Sequence, residues 1–156
     1  MESRANSTAA FIIQSPFDPA LSRIRRALRD DQLSIAAEID TAHRVRRALE
    51  IYVAPCRILL IDNPAFSLET TAIDRASGTL IPLHLVISGS GNRTLVHMLN
   101  LEHVRQSDLP IGIRAPVLDL QRQVLRTLGR IAERVFNEEI LDRGEPVSRA
   151  GGPDAA

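Results

Sequence analysis

The stretch Cys56–Leu99, CRILLIDNPAFSLETTAIDRASGTLIPLHLVISGSGNRTLVHML, carries the clearest structural signals in the chain. It begins with an apolar run at Cys56–Ile61, which is typical of a strand buried on both faces. Asp62-Asn63-Pro64 then predicts a helix start, because Asn caps free amides and Pro fits the first helical position. Further on, Leu80–Ser88 and Thr94–Leu99 alternate on either side of a turn with two glycines. This pattern predicts a β-hairpin.

The residues before this stretch predict two further strand–helix pairs. Thr8–Gln14 and Leu33–Ile39 are enriched in strand formers, and each is followed by an aspartate that can cap a helix. Asp18 with Pro19 predicts a helix that runs to about Asp31, and Asp40 predicts a second one over Ala42–Glu50. The residues expected to face the core are Leu21, Ile24, Ala27 and Leu28 in the first helix, Val45, Ala48 and Leu49 in the second, and Ala65, Leu68, Ala72 and Ala76 in the third.

The longest helical pattern in the chain covers Val117–Ile140. Pro110, Gly112 and Pro116 interrupt the sequence before it, so the helix is expected to begin after Pro116. Its apolar residues recur at steps of three and four. This stripe can cover the sheet of its own chain or pair with the same helix of a second subunit. Together the elements predict one domain over residues 8–143, with flexible tails at 1–7 and 144–156.

The composition excludes several classes of function. The net charge is +0 and the pI about 6.9, so no overall charge favours nucleic acid or an anionic membrane. All 19 basic residues are Arg, which excludes Schiff-base chemistry on lysine. The single Cys cannot form an intramolecular disulfide. No apolar run approaches the roughly 18–20 residues that span a bilayer. We expect a cytoplasmic protein without a cofactor.

His84 and His97 are candidate metal ligands on the predicted hairpin. A two- or four-residue loop centred on Ser90-Gly91 places the two imidazoles directly opposite each other, with β-carbons about 5 Å apart. A three- or five-residue loop places them on opposite faces. In the first case they could bind a divalent metal, with Asp62 or His103 as a third ligand. The alternative is two half-buried histidines with ordinary hydrogen bonds.

Asp62, Asn63 and Pro64 form a candidate ligand-binding site. They join a buried strand to a helix N-terminus, where free amides can bind an anion or a small ligand. The alternative is that Asn63 only caps the helix. No serine lies in a Gly-x-Ser-x-Gly elbow, and no catalytic residue is predicted.

Several short motifs, in their order and spacing, resemble the bacterial domain-of-unknown-function family 302. That family typically has Phe-Asp at the start of its first helix and a Glu-Ile-Asp-like end to its second strand. It also has a strand that runs into Asn-Pro and a Leu-Pro pair that opens the hairpin. The matching residues here are Phe17-Asp18, Glu38-Ile39-Asp40, Asn63-Pro64 and Ile81-Pro82.

The resemblance implies an α+β fold like that of the TATA-box-binding protein. This is a curved, mainly antiparallel sheet of about five strands in the order β-α-β-α-β-α-β-β, with helices on one side and a long C-terminal helix added. It also implies a homodimer, and it implies no activity. Many members carry cysteines at positions that here are Asp62 and Leu83, so a thiolate role of those cysteines is not available to this chain.

Three functions follow as hypotheses. The first is a non-enzymatic homodimer that binds a small ligand or a partner on its sheet face. The alternative is a metal-binding protein or enzyme that uses the histidine pair with Asp62. The third is an interaction module that works through the Val117–Ile140 helix. Nucleic-acid binding, which only the fold analogy suggests, is not expected, because the charge is balanced and a fold does not determine function.

Overall fold

The structure is a computed structural model that describes residues 8–75, 81–101 and 111–135. Among these residues, no helix is both long and apolar enough to cross a membrane. The elements in chain order are β1 (Thr8–Ile13), α1 (Phe17–Asp30), β2 (Ser34–Asp40), α2 (Thr41–Leu49), β3 (Cys56–Asp62), α3 (Pro64–Ile73), β4 (Leu83–Ser90), β5 (Arg93–Leu99), α4 (Ile111–Gly129) and β6 (Glu133–Val135).

The strands form one antiparallel sheet in the order β2-β3-β4-β5-β1-β6. The α+β fold class is therefore confirmed. The described sheet has six strands, one more than the sequence predicts, because β6 adds to the free edge of β1. The first strand thus lies between the last two strands of the described chain.

One face of the sheet is buried under helices. Side chains of a strand alternate between the two faces, so the pairing register identifies the residues that share a face. Phe11 pairs with Val96 and Leu85 with both Met98 and Leu59, and all five side chains are buried in a single core cluster. This cluster also contains most of the buried residues of α1 and α4. We call this the helix-covered face and the other one the open face.

Helix α1 buries the predicted stripe, with Leu21, Ile24, Ala27 and Leu28 all in the core. Its start differs from the prediction. The helix begins at Phe17, with Pro16 in the cap position and no side-chain hydrogen bond to its free amides. Asp18 is therefore the second helical residue and not the cap.

Helix α4 corrects the Val117–Ile140 prediction at both ends. It begins at Ile111 and includes Pro116 within its second turn. It ends at Gly129, after which the chain turns and Glu133–Val135 pairs with β1. Residues 136–140 lie outside the described residues. The apolar spacing continues through Ile131 and Val135, but strand pairing to β1 replaces the helix there. The stripe packs on the sheet of its own chain.

Helices α2 and α3 do not bury their predicted faces. In α3, Leu68 is 75% exposed, whereas Thr70 is buried and donates a hydrogen bond to the Phe66 carbonyl (2.8 Å). The strip with Phe66 and Thr70 lies inward because α3 packs beside α4 rather than flat on the sheet. Helix α2 has no buried residue, and Leu49 is 64% exposed.

Polar contacts join the C-terminal ends of α1 and α4. The Asp31 carboxylate accepts hydrogen bonds from Thr127 and from the Arg130 guanidinium, and its backbone carbonyl accepts one from Gln123 (2.9 Å). The bonds from Arg130 and Thr127 lower the pKa of Asp31. The same contact raises the pKa of Arg130, so this guanidinium stays charged throughout the acid range.

Replacing Asp31 should change the acid sensitivity of the fold. A lowered folded-state pKa gives a stability contribution that is present above the unfolded value of about 3.9. The contribution is lost as the pH falls through the folded-state pKa. We therefore expect Asp31→Asn to reduce the free energy of unfolding at pH 7 and to flatten its decline between pH 4 and 2, measured by urea denaturation. Asp30→Asn, at the exposed neighbouring position, is the matched control. Equal slopes for wild type and Asp31→Asn would contradict the prediction.

Candidate ligand-binding cavity

A cavity of about 350 Å³ lies where the start of α1, helix α2 and the start of β3 meet. We call it the α1–α2 cavity. Its volume is within the range of small-molecule sites. Its apolar and aromatic lining includes Phe17, Val53, Pro55 and Tyr52. Its ionisable lining consists of Asp18, Asp40, His43, Arg46 and Arg57, with Cys56 beside them.

The pairing of β2 with β3 positions Asp40 and Arg57, the ion pair that forms the floor of the cavity. Asp40 lies opposite Arg57 in the register, and Glu38 lies on the same face two residues away. The Arg57 guanidinium donates to Glu38 Oε1 (2.8 Å) and forms an ion pair with Asp40 Oδ2 (2.9 Å). Glu38 also accepts a hydrogen bond from Arg25 Nε of α1 (3.2 Å). The network balances two guanidiniums with two carboxylates and connects α1 to the edge of the sheet.

Helix α2 and residues 50–55 form the outer wall. The Asp40 side chain accepts a hydrogen bond from the His43 amide (2.8 Å), which satisfies one free donor of the α2 N-terminus. Glu50 ends the helix with a positive φ of 56°. Beyond it, the Arg46 guanidinium lies 5.9 Å from the centre of the Tyr52 ring, within cation–π range. The Pro55 carbonyl accepts a hydrogen bond from the Gly89 amide (2.8 Å) and anchors the wall to β4.

Gly89 also allows the start of α1 to approach the sheet. A β-carbon added at Gly89 would lie 3.2 Å from Cβ of Phe17, tighter than most such contacts. The absence of a side chain there thus lets Phe17 sit at the inner end of the cavity.

A second cavity, of about 500 Å³, lies between α3 and α4. Its polar lining is largely engaged, since Arg122 donates to Asp119 and Gln123 donates to the Asp31 carbonyl. Its lining among the described residues comes from two helices, whereas the α1–α2 cavity is lined by residues of two helices, two strands and a loop. The α1–α2 cavity is the stronger candidate.

The predicted Asp62-Asn63-Pro64 site lies at the opposite end of β3 from this cavity. Asn63 caps α3 by accepting a hydrogen bond from the Ala65 amide (3.0 Å), and Pro64 is the first helical residue. The Asp62 carboxylate accepts a longer bond from the Ser67 hydroxyl (3.4 Å). None of the three residues lines either cavity. Ligand binding at Asp62, Asn63 and Pro64 stays a prediction.

His84 and His97 lie on the open face, but they are not directly opposite each other. A loop centred on Ser90-Gly91 would place the two histidines opposite each other. The observed loop is Gly91-Asn92, which is one residue further along the chain. His97 therefore pairs with Val86, and His84 is a diagonal neighbour at about 7–8 Å. Burial lowers the pKa of His97, so its imidazole is uncharged at neutral pH.

The metal hypothesis gains no third ligand from the structure. Within residues 8–75, 81–101 and 111–135, no three His, Cys, Asp or Glu side chains cluster closely enough to hold a metal ion. His103, one of the two proposed third ligands, lies outside those ranges. Metal binding by His84 and His97 stays a prediction.

The fold is shared with a solved structure of known sequence family. The crystal structure of an uncharacterised conserved DUF302 protein from Bacillus stearothermophilus superposes with a TM-score of 0.72. The match covers 81% of this chain and 99% of the other, at 13% sequence identity. The architecture, an antiparallel sheet with helices on one face, is therefore that of this class of α+β domains.

The sequence itself matches the family model. The model for the domain of unknown function DUF302 matches residues 11–134, and the chain belongs to this family. The resemblance inferred from the short motifs is thus confirmed. No match was found among curated proteins.

Two of those motifs meet at the α1–α2 cavity. Phe17-Asp18 lines its inner end, and Glu38-Ile39-Asp40 supplies the carboxylates that bind Arg57. The sequence showed both motifs but not that they lie close together, because their proximity depends on the packing of α1 against β2. Arg46 and Tyr52 were not predicted as site residues, and the sequence contains no periodic signal that distinguishes them.

Removing the Asp40 side chain should loosen α2 selectively. Helix α2 has no buried residue, so it is held to the sheet largely through its N-cap residue Asp40. This side chain caps the helix and forms an ion pair with Arg57 of β3. Losing a cap costs about 1 kcal/mol. We expect Asp40→Ala to increase hydrogen exchange of the α2 amides about fivefold or more, measured by mass spectrometry.

Asp18→Ala is the matched control, since Asp18 makes no capping bond and α1 is held by its buried face. It should leave exchange in both helices nearly unchanged. Unaltered exchange of α2 in Asp40→Ala would show that packing, and not the cap, holds this helix.

Proposed function

We propose that this DUF302 protein is a non-enzymatic, cytoplasmic domain that binds a small molecule in the α1–α2 cavity. The observation that supports the proposal most strongly is the cavity itself: a concave site with aromatic and aliphatic walls and a few convergent ionisable groups. Such a lining is typical of small-molecule sites. The wall formed by α2 and residues 50–55 has little burial of its own, so a ligand can enter without disrupting the core.

A neutral aromatic probe tests for binding without relying on charge. We expect 3-phenylpropanamide at millimolar concentration to shift backbone amide NMR signals of the cavity residues and few others. Val53→Trp places a large side chain in the lining and should weaken binding about tenfold or more. Leu49→Trp, at an exposed position outside the lining, is the matched control and should bind like wild type. Shifts spread over the whole surface, or equal binding by both variants, would contradict the proposal.

We also propose that a second copy of the chain covers the open face. On β3, β4 and β5 this face carries the half-buried Ile58, Leu60, Val86 and Leu95. Leu99 on the same face is 49% exposed. In these three strands, charges occur on this face only at Asp62 and Arg93, near the strand ends. A two-fold pairing brings identical surfaces together, and a centre without charge avoids like-charge contacts.

A charge placed on the open face should disrupt this dimer. We expect wild type to have twice the 17.2 kDa chain mass by light scattering after size exclusion. Leu99→Arg should shift the mass to that of one chain, because it buries an unpaired charge in the interface. Leu68→Arg is the matched control, since Leu68 is exposed on α3. A wild-type protein that stays a monomer at high micromolar concentration would exclude the dimer.

A further inference from the structure

The charges that line the α1–α2 cavity fall into two groups. Asp40 and Arg57 form an ion pair with each other, and each has one further partner. Asp40 accepts a hydrogen bond from the His43 amide, and Arg57 donates one to Glu38. Changing the partners of these groups would cost a half-buried ion pair or a helix cap. Asp40 and Arg57 form the floor of the cavity, and a ligand could bind them only by breaking their ion pair or the helix cap.

Asp18 and Arg46 form the second group. Both line the cavity and both are exposed. Within the described ranges neither forms an ion pair or a side-chain hydrogen bond to protein. They lie on different elements, Asp18 in the first turn of α1 and Arg46 in the last turn of α2. As far as the described residues show, the cavity therefore presents one carboxylate and one guanidinium that have no ion-pair partner in the protein.

The Arg46 guanidinium lies over the Tyr52 ring, and this contact favours its position at the cavity. Its N–H donors form no hydrogen bond to protein within the described ranges. Guanidinium groups bind carboxylates with two parallel hydrogen bonds. The neighbouring Phe17 and Val53 provide apolar surface for the body of a ligand.

We propose that the ligand is a zwitterion with an apolar body, of the α-amino-acid class. Its carboxylate binds Arg46, its ammonium group binds Asp18, and its side chain packs against Phe17 and Val53. A purely anionic ligand would be attracted by Arg46 but repelled by Asp18. A purely cationic ligand would be attracted by Asp18 but repelled by Arg46. A zwitterion can satisfy both groups at once. This inference rests on the proposed function of the cavity and adds the chemical class of its ligand.

Three probes with the same phenyl ring and two-carbon spacer separate the charges. L-phenylalanine is a zwitterion, 3-phenylpropanoate has only the carboxylate, and 2-phenylethylamine has only the ammonium group. We expect L-phenylalanine to bind at least about tenfold more tightly than either analogue, measured from the NMR shifts of the cavity amides at pH 7. Added salt should reduce this preference, because the charged groups are exposed.

Charge-removing variants assign each end of the ligand. Arg46→Gln should abolish the advantage of L-phenylalanine over 2-phenylethylamine and keep its advantage over 3-phenylpropanoate. Asp18→Asn should give the reverse pattern. Arg44→Gln, on the same helix but outside the lining, is the matched control and should keep both preferences.

The outcomes separate this inference from the proposed function. If 3-phenylpropanoate or 2-phenylethylamine binds the cavity as tightly as L-phenylalanine, the zwitterion assignment is wrong while the cavity remains a ligand site. The same holds if only the neutral 3-phenylpropanamide binds. If none of the four probes shifts the cavity amides, both the inference and the proposed function are wrong.

Discussion

Burial of a single face of the sheet is the constraint on which the rest of the structure depends. The core strands place their largest apolar side chains on the helix-covered face, and α1 and α4 must supply the other half of that core. This requirement keeps α4 on its own sheet. It also brings the two ends of the described chain together, because β1 pairs with β5 on one side and with the edge strand β6 on the other. The fold is therefore complete only when residues more than 120 positions apart have paired, as Ala10 and Val135 do.

A buried amide fixes how α4 meets the sheet. The Gln121 side chain accepts a hydrogen bond from the Leu101 amide (2.8 Å) and donates one to Asn100 Oδ1 (3.0 Å). Gln121 is fully buried, and an unpaired amide in that position would cost free energy. The two bonds hold α4 in one register at the end of β5, whereas apolar contacts alone are non-directional. Near the C-terminal end of α4, the contacts of Asp31 with Thr127 and Arg130 hold the same helix against α1.

The sequence predicted those features that local chemistry controls. The apolar stripe of α1 and the cap at Asn63 are examples, since each depends on residues within one or two turns. The hairpin was predicted but its register was not, because Gly91, with a positive φ of 59°, fixes the loop at Gly91-Asn92 and moves His84 away from His97. The end of α4 was missed because the pairing of Glu133–Val135 with β1 is a long-range interaction that leaves the helical spacing intact.

The candidate cavity was not predictable either, because it too depends on long-range contacts that leave no signal in the local sequence. Helix α2 is the clearest example. Val45, Ala48 and Leu49 have the spacing of a core-facing stripe, yet no residue of α2 is buried. The helix is held by the Asp40 cap, the Asp40–Arg57 ion pair and the contact of Arg46 with Tyr52. In each of these three contacts, both partner residues line the cavity. An element with so little burial is stabilised by any molecule that binds only its folded form. A ligand that contacts α1 and α2 together would thus supply the packing that α2 lacks, which couples the order of this helix to occupancy of the cavity.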